Sequence, residues 1–170
     1  AQELAAMGAK VLHPRCLAPA AWGDIPIEIR NTRDPGGPRT EILSSAGDEP
    51  TVMAVVQRKG VTLLSIETLA MWGASGFLSK VFTPFERLGI SVDLVATSQA
   101  AVTLTLDHIP EGPQGEPFAR LSEELRLLGE VRVLYPCAVV SVVGRKIRTV
   151  LHQLGPAFGV FRERSVHMVS

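Results

Sequence analysis

The feature that most constrains the fold is the order in which strand-like and helix-like segments follow one another between residues 61 and 135. Apolar residues alternate with polar ones in 90–96 and 101–107, a period that predicts two strands. They recur every three to four positions in 77–88 and 118–128, which predicts two amphipathic helices. A strand-like segment precedes the first helix and another follows the second. The predicted order is therefore β-α-β-β-α-β, that of a ferredoxin-like α+β domain.

The same pattern begins again after residue 136. Residues 137–144 read as a further strand, in which VVSV (139–142) matches LLSI (63–66). Four apolar positions of the following helix recur at a constant offset: Phe77, Val81, Phe85 and Leu88 in the first copy, and Val150, Leu154, Phe158 and Phe161 in the second. This repeat predicts two copies of one scaffold in tandem, the second of them truncated.

The ends and the first third of the chain suggest how it is divided. It begins with a helix-like segment that has no N-cap and ends in a strand-like segment, so we expect a piece of a longer protein. A short strand is expected at 26–30 and an exposed, turn-rich loop at 31–40. The expected domains are residues 1–50, the first complete copy at 51–136 and the start of the second copy at 137–170.

Two strand boundaries are expected from single turn-forming residues. Pro136 lacks a backbone N–H and should close the strand 130–136, because proline interrupts a hydrogen-bonded ladder. A turn at residues 58–60, which include Gly60, should separate two strand-like runs within 54–67.

The composition excludes several classes of protein. Lys+Arg and Asp+Glu both number 17, so the formal net charge is zero. The chain therefore lacks the excess positive charge that is typical of proteins that bind nucleic acid or an anionic membrane. Hydrophobic residues make up 46%, yet no apolar run reaches the roughly 18–20 residues of a membrane-spanning helix. The N-terminus does not read as a signal peptide. We expect a globular, cytoplasmic protein without nucleic-acid or membrane partners.

Metal and RNA binding are alternatives that the fold class would allow. The four histidines show no ligand spacing with one another or with the cysteines. Cys16 and Cys137 lie far apart and outside any CxxC motif, so we expect two free thiols. Aromatic residues make up only 5% of the chain, too few for the stacking surface of an RNA-binding sheet. We therefore expect neither a metal nor an RNA site.

Residues 69–82, LAMWGASGFLSKVF, carry an unusual connection between strand and helix. Gly73 and Gly76 enclose two small residues just before a helix that starts near Phe77, and glycine lets the backbone come close to a ligand. The first N–H groups of a helix lack internal partners and lie at the positive end of its dipole, so they suit a carboxylate. A plain tight turn is the alternative for the glycines alone.

Asp93 supplies the opposite charge. It lies between apolar Val92 and Leu94 on the next strand, where an unpaired charge would be costly and an ammonium group would satisfy it. A solvent-facing position is the alternative for Asp93 alone. The second copy has His167 in its place and a shorter connection, so only the first copy carries the combination. A carboxylate site beside an ammonium partner predicts a free amino acid as ligand, with residues 97–99 adding polar contacts.

These segments resemble one known family. GAKVLHPRCLAPA (8–20), followed by IPIEIRNTRDPGGPRT (25–40), resembles the end of the catalytic domain of aspartate kinases. Residues 62–107, which include LAMWGASGFLSKVF and ISVDLVATSQ, resemble the first ACT domain of the family's regulatory region. The segment from CAVVSVVG (137–144) to residue 170 resembles its second ACT domain. The resemblance is strongest to the lysine-sensitive type, whose effector segment reads Met-x-x-x-x-Gly-Phe-Leu, then Val-Asp and Thr-Ser.

The resemblance implies the activity of a parent enzyme. That enzyme would transfer the γ-phosphoryl group of ATP, with Mg²⁺, to the side-chain carboxylate of L-aspartate, the first step towards lysine, threonine and methionine. The family's N-terminal Lys-Phe-Gly-Gly phosphate-binding motif is absent, so we expect this chain to be non-catalytic and to hold no cofactor or metal. Lys10 falls on a family position near the nucleotide phosphates, with an ordinary surface lysine as the alternative.

The resemblance also implies an effector site. The family's binding residues carry over onto Met71, Gly76, Phe77, Leu78, Val92, Asp93, Thr97 and Ser98. Two positions depart from the pattern, since Ala74 stands where lysine-sensitive relatives often have Ser and Gln99 where they often have Glu. The missing carboxylate at Gln99 weakens the case for a cationic side chain and leaves recognition of the α-amino and α-carboxyl groups untouched. The implied effector is lysine first and threonine second.

A homodimer with paired ACT domains and effectors at the interface is the implied assembly. Two alternatives remain within the family. One is a dimerisation module that binds no ligand, and ligand-dependent stabilisation would separate it from a sensor. The other is a threonine-responsive member fused to a second enzyme, homoserine dehydrogenase or diaminopimelate decarboxylase.

Overall fold

The computed structural model describes residues 4–5, 12–43, 51–109, 111–162 and 166. In chain order the elements are α1 (Pro14–Trp22), β1 (Ile27–Ile29), β2 (Thr40–Ile42), β3 (Thr51–Glu67), a 3-10 helix (Leu69–Met71), α2 (Phe77–Arg87), β4 (Val95–Thr97), β5 (Ala101–Leu106), α3 (Glu116–Arg126), β6 (Glu130–Arg145), a second 3-10 helix (Ile147–Leu154) and α4 (Gly155–Gly159). Most of the helix expected at the start of the chain, and Lys10, lie outside the described residues. None of the helices in the described part is long and apolar enough to cross a membrane.

The chain forms two compact units. The described residues of segments 59–139 and 165–170 make up one, and those of segments 1–58 and 140–164 make up the other. The domain limits expected after residues 50 and 136 stay a prediction. The divisions between the units fall inside β3 and inside β6, so each of these long strands continues from one unit into the other.

A four-stranded sheet with the order β4-β5-β3-β6 organises the unit 59–139. β3 and β5 pair antiparallel from Thr62 opposite Leu106 to Glu67 opposite Ala101, and β4 pairs antiparallel with β5. Helix α2 connects β3 to β4, and α3 connects β5 to β6. The predicted β-α-β-β-α-β order and ferredoxin-like fold class are confirmed.

The core of this unit lies between the sheet and the two helices. Phe77, Val81 and Phe85 recur at four-residue spacing on one face of α2 and are buried, as the helical period predicts. Further members come from the strands and α3: Leu64, Ile66, Val102, Leu104, Leu106, Phe118, Leu121 and Leu125. Each such side chain contributes about 1.5–3 kcal/mol on burial, before conformational entropy is subtracted. This packing fixes α2, and with it the N-terminus of α2, against the sheet.

Both expected strand boundaries were wrong. β6 continues through Pro136, which follows a cis peptide bond from Tyr135, and β3 continues through Gly60. Proline is tolerated on an edge strand because the missing N–H can point away from the sheet, and β6 is an edge of this sheet. Gly60 has φ +77°, a conformation that glycine adopts without strain, and the strand continues through it.

The other unit contains the described residues of segments 1–58 and 140–164. The strand expected at 26–30 is β1, and it pairs with β2, which the sequence did not predict, across the turn-rich loop. The helix expected in the second copy is instead a 3-10 helix followed by the short α4. Gly155 and Pro156 fall at this junction, where proline fits the first turn of a helix and not its interior. Of the final strand-like segment, only Val166 is described.

Candidate functional site

The connection from β3 to α2 is held by local hydrogen bonds. The Thr68 N–H donates to the Ala100 carbonyl at 2.8 Å, which ties the end of β3 to the β4–β5 turn. The Thr68 hydroxyl accepts from the Ala70 N–H at 3.1 Å and so caps the 3-10 helix Leu69–Met71. Ala74 N–H then donates to the Met71 carbonyl at 3.2 Å. The turn is therefore fixed at its base and opens towards its two glycines.

Glycine is required in this turn for its backbone conformation. Gly73 has φ +68° and Gly76 has φ +77°, a region in which a side chain is strained. Apart from the adjoining residues of the chain itself, no atom of the described residues lies within 4 Å of a Cβ built at either position. The glycines thus set the direction in which the chain enters α2, and the space beside them is open, which agrees with the expectation that something can approach closely here.

The N-terminus of α2 has unused capacity to bind an anion. Gly76 is its N-cap and offers no side chain, and no acidic residue occurs in the first turn. The Lys80 N–H donates to the Gly76 carbonyl, so the hydrogen-bonded ladder begins there and the earlier N–H groups have no partner within the helix. These N–H groups carry the positive end of the dipole of an 11-residue helix.

Asp93 sits at an irregularity on the edge of the sheet. The Asp93 N–H donates to the Thr105 carbonyl at 2.9 Å, whereas the Thr105 N–H donates to the Leu94 carbonyl at 3.0 Å. Asp93 and Leu94 therefore both face Thr105, as in a β-bulge. The regular pairing of β4 with β5 starts only at Val95. The strand expected over 90–96 is consequently regular only at Val95–Thr97.

Asp93 lies outside the core. Val92 packs against the core cluster, whereas Asp93 is exposed. The Asp93 Oδ2 accepts a hydrogen bond from the Thr105 Oγ1 at 3.3 Å. Asp93 therefore takes the solvent-facing position that was the alternative for it, so no ammonium is needed to offset burial. As an exposed carboxylate it can still accept hydrogen bonds from a cation.

The remaining predicted residues divide into buried and exposed groups. Phe77 is buried, and Met71 and Val92 are half-buried and pack against the core, so these three mainly hold the backbone in place. The exposed members are Ala74, Gly76, Leu78, Asp93, Thr97, Ser98 and Gln99. Whether these ten residues form a binding site stays a prediction.

The β4–β5 turn lies at the same end of the sheet as the base of the glycine turn. Thr97 ends β4 opposite Val102, and the Ser98 N–H donates to the Ala101 carbonyl at 2.9 Å. The Ser98 hydroxyl accepts from the Ala100 N–H at 3.3 Å. An open cleft of about 350 Å³ lies between the two turns and is lined by Glu67, Thr68, Leu69, Ala100 and Ala101. The structure thus brings 67–69 and 100–101 together, with Asp93 preceding the edge strand β4.

Sequence reasoning missed three neighbours of this region. Leu69 and Trp72, two residues before Met71 and one residue after it, are 83% and 78% exposed although both are apolar. Gly129 packs against the base of the turn, where a Cβ would lie 2.5 Å from the Glu67 carbonyl oxygen.

The described residues contain no group of three or more His, Cys, Asp or Glu side chains that could hold a metal ion. Cys16 is exposed and Cys137 half-buried, and both are free thiols, as expected. The chemistry available in this region is therefore that of helix N–H groups, the exposed carboxylates of Glu67 and Asp93, and several hydroxyl and amide groups.

Comparisons with known proteins identify relatives of the chain, although no family model matches it. "Aspartokinase 2, chloroplastic" of Arabidopsis thaliana is 40% identical over 176 residues, which cover 99% of this chain and 32% of the relative. The chain thus spans about a third of the length of the curated relatives it matches.

Solved structures of one bacterial relative share the fold. The chain matches E. coli aspartokinase III in complex with aspartate and ADP (R-state) with a TM-score of 0.80 and 34% identity, over 98% of this chain and 38% of that one. The same enzyme in complex with lysine and aspartate (T-state) matches with a TM-score of 0.72 and 31% identity, over 98% and 37%.

Proposed function

Because the chain is homologous to the regulatory part of the aspartokinases, we propose that it is a regulatory module that binds a free amino acid as effector. The observation that carries the proposal is the N-terminus of α2, which has an open glycine turn, no side-chain cap and no acidic residue in its first turn. An effector carboxylate accepts hydrogen bonds from these N–H groups and is favoured by the helix dipole.

The α-ammonium group of the effector binds Asp93 in this proposal. Asp93 is exposed on the edge strand, so its desolvation costs little when it is approached by a cation. Charge-assisted hydrogen bonds contribute about 1.5–3 kcal/mol each. Three or four of them, less the cost of association, correspond to a dissociation constant between about 1 mM and 1 μM.

Lysine is the proposed effector, with threonine second. E. coli aspartokinase III, which is 31% identical to this chain in its T-state structure, was solved with lysine and aspartate. Exposed Thr97, Ser98 and Gln99 offer hydroxyl and amide oxygens to a side-chain ammonium at the β4–β5 turn. Gln99 offers a neutral oxygen in place of the carboxylate of many lysine-sensitive relatives, so we expect affinity at the weak end of that range.

The parent protein in this proposal is an aspartate kinase that uses ATP and Mg²⁺, with Lys10 near the nucleotide phosphates, and this chain is its non-catalytic regulatory part. Its ACT domains pair in a cytoplasmic homodimer. A hundredfold preference of the effector for one quaternary arrangement would shift the equilibrium between arrangements by about 2.7 kcal/mol.

Isothermal titration of the chain with lysine, and then with threonine, tests the proposal. We expect lysine to bind and Asp93→Ala to weaken binding at least tenfold. Glu86→Ala, which removes an exposed carboxylate from the other end of α2, is the matched control and should bind as the unmodified chain does. Binding of threonine alone would identify the other effector. Absence of heat with both amino acids, in a folded sample, would leave a dimerisation module that binds no ligand.

A further inference from the structure

The cleft between the two turns has the composition of a pocket for an amphipathic cation. Its volume is about 350 Å³, and Leu69, Ala100 and Ala101 give it apolar walls. Glu67 is the one carboxylate among its described lining residues. Apolar walls with a single carboxylate complement a chain of methylene groups that ends in an ammonium group.

Backbone contacts fix the walls of this cleft. Glu67 lies opposite Ala101 at the end of the β3–β5 pairing, and the Thr68 N–H donates to the Ala100 carbonyl at 2.8 Å. Gly129 packs closely against the Glu67 carbonyl from the other side. The cleft therefore exists before a ligand arrives, and a preformed site lowers the entropic cost of binding.

Glu67 retains acceptor capacity for an ammonium group. The Arg132 Nη1 lies 3.7 Å from the Glu67 Oε1, which is longer than a hydrogen bond. Arg132 donates from its Nε to the Glu130 Oε1 at 3.0 Å, and that hydrogen bond is the largest cause of the raised pKa of Arg132. Two carboxylates and one guanidinium group leave a net negative charge beside the cleft, so a second cation is still attracted.

The cleft adjoins residues that were predicted to contact the effector. The Ser98 N–H donates to the carbonyl of Ala101, a lining residue, and Gln99 precedes Ala100 in the same turn. Gln99 offers only a neutral oxygen where many lysine-sensitive relatives have a carboxylate. Glu67 supplies a negative charge beside the same turn, from β3.

We propose that this cleft takes the side chain of the effector, and that Glu67 is a specificity-determining residue that selects lysine by its side-chain ammonium group. This inference rests on the proposed function. Threonine has a short, uncharged side chain, so it gains neither the contacts with the apolar walls nor the charge of Glu67.

Titration calorimetry of the chain with lysine, norleucine and threonine tests the inference. Norleucine has the four-carbon stem of lysine without the ammonium group. Glu67→Gln removes the charge and keeps the shape. Glu123→Gln is the matched control, because it removes an exposed carboxylate from α3 outside the lining of the cleft. Ala100→Leu fills the cleft and serves if Glu67→Gln fails to fold, and circular dichroism checks the folding of each variant.

We expect the unmodified chain to bind lysine at least threefold more tightly than norleucine. Glu67→Gln should weaken lysine binding about three- to tenfold, since the carboxylate is 46% exposed and part of its attraction is screened. Norleucine binding in this variant, and binding of both ligands in Glu123→Gln, should stay within about twofold. Ala100→Leu should weaken the binding of lysine and norleucine and leave that of threonine unchanged.

Two outcomes would overturn the inference, and they are distinguishable. If Glu67→Gln still prefers lysine over norleucine as the unmodified chain does, or Ala100→Leu in its place binds lysine unchanged, the role of the cleft is refuted and the proposed function stands. If the unmodified chain binds none of the three amino acids, the proposed function fails and the inference fails with it.

Discussion

The two copies of the repeat share a sequence pattern, yet their helical segments differ in secondary structure and in burial. In the first copy the apolar positions of α2 are buried between a four-stranded sheet and α3. In the second copy the corresponding segment is a 3-10 helix followed by α4, and Phe158, the counterpart of Phe85, is 54% exposed. A helical period therefore predicts which face could be buried, but burial requires the strands and the helix that cover it.

The residues that lead into the two helical segments also differ. Gly73 and Gly76 lead into α2 with positive φ, whereas the second copy is entered through Lys146, a non-glycine residue with φ 45°. The first entry leaves the N–H groups of an 11-residue α-helix accessible. The second leads into a 3-10 helix, whose weaker alignment of peptide dipoles gives a poorer anion site. The difference explains why we place the effector in the first copy alone.

The largest expected effect contrasts the two phenylalanines. Phe85→Ala should lower the free energy of unfolding by about 3–5 kcal/mol, because it removes a ring that is 2% exposed from a packed core. Phe158→Ala should change it by less than about 0.5 kcal/mol, as exposed substitutions usually do. Urea denaturation followed by circular dichroism measures both. Equal losses would mean that the second copy has a core of its own.

A smaller effect is expected at glycines that begin the two helices. Gly76→Ala should destabilise the chain by about 1–2 kcal/mol and weaken lysine binding, because alanine is strained at φ +77°. Gly155→Ala should stabilise by about 0.4–1 kcal/mol, since Gly155 has a right-handed helical conformation that alanine adopts readily. Thermal unfolding with and without lysine gives both quantities. Loss of lysine affinity in Gly155→Ala would contradict the expectation that only the glycine at the start of α2 affects binding.

The smallest effect is expected from the ion pair that joins α2 to α3. Arg87 contacts Glu124, and both side chains are more than a third exposed. Arg87→Ala should lower the free energy of unfolding by only about 0–1 kcal/mol, and the loss should shrink further in high salt. Denaturation at two salt concentrations checks this. A larger, salt-independent loss would mean that the arginine stem packs on the helices.

The order of elements in residues 61–135 could be predicted because strands and helices leave different periods in the sequence. The glycine turn could also be recognised, since two glycines around small residues mark a connection with positive φ. The hydrogen bonding around Asp93 could not, because it depends on a bulge in which Asp93 and Leu94 both face Thr105. The sequence of residues 92–94 contains no feature that predicts the bulge.

The same limit explains the errors at Pro136 and Gly60. Each was interpreted as the end of a strand from its own chemistry, whereas the outcome depends on the position of the strand in the sheet. Pro136 lies on β6, an edge strand, and there a missing N–H leaves no gap in the ladder. The exposure of Trp72 and Leu69 is a further case, since their apolar side chains gave no sign of which face they would occupy.

The central claim is that an amino acid binds at the entry to α2 in the first copy and not at the corresponding entry in the second. Titration of the ¹⁵N-labelled chain with lysine, followed by amide chemical shifts, tests it directly. We predict that the largest changes occur at Phe77, Leu78 and Asp93, with residues 147–154 unchanged. Changes centred on 147–154, or none anywhere in a folded sample at millimolar lysine, would contradict the account.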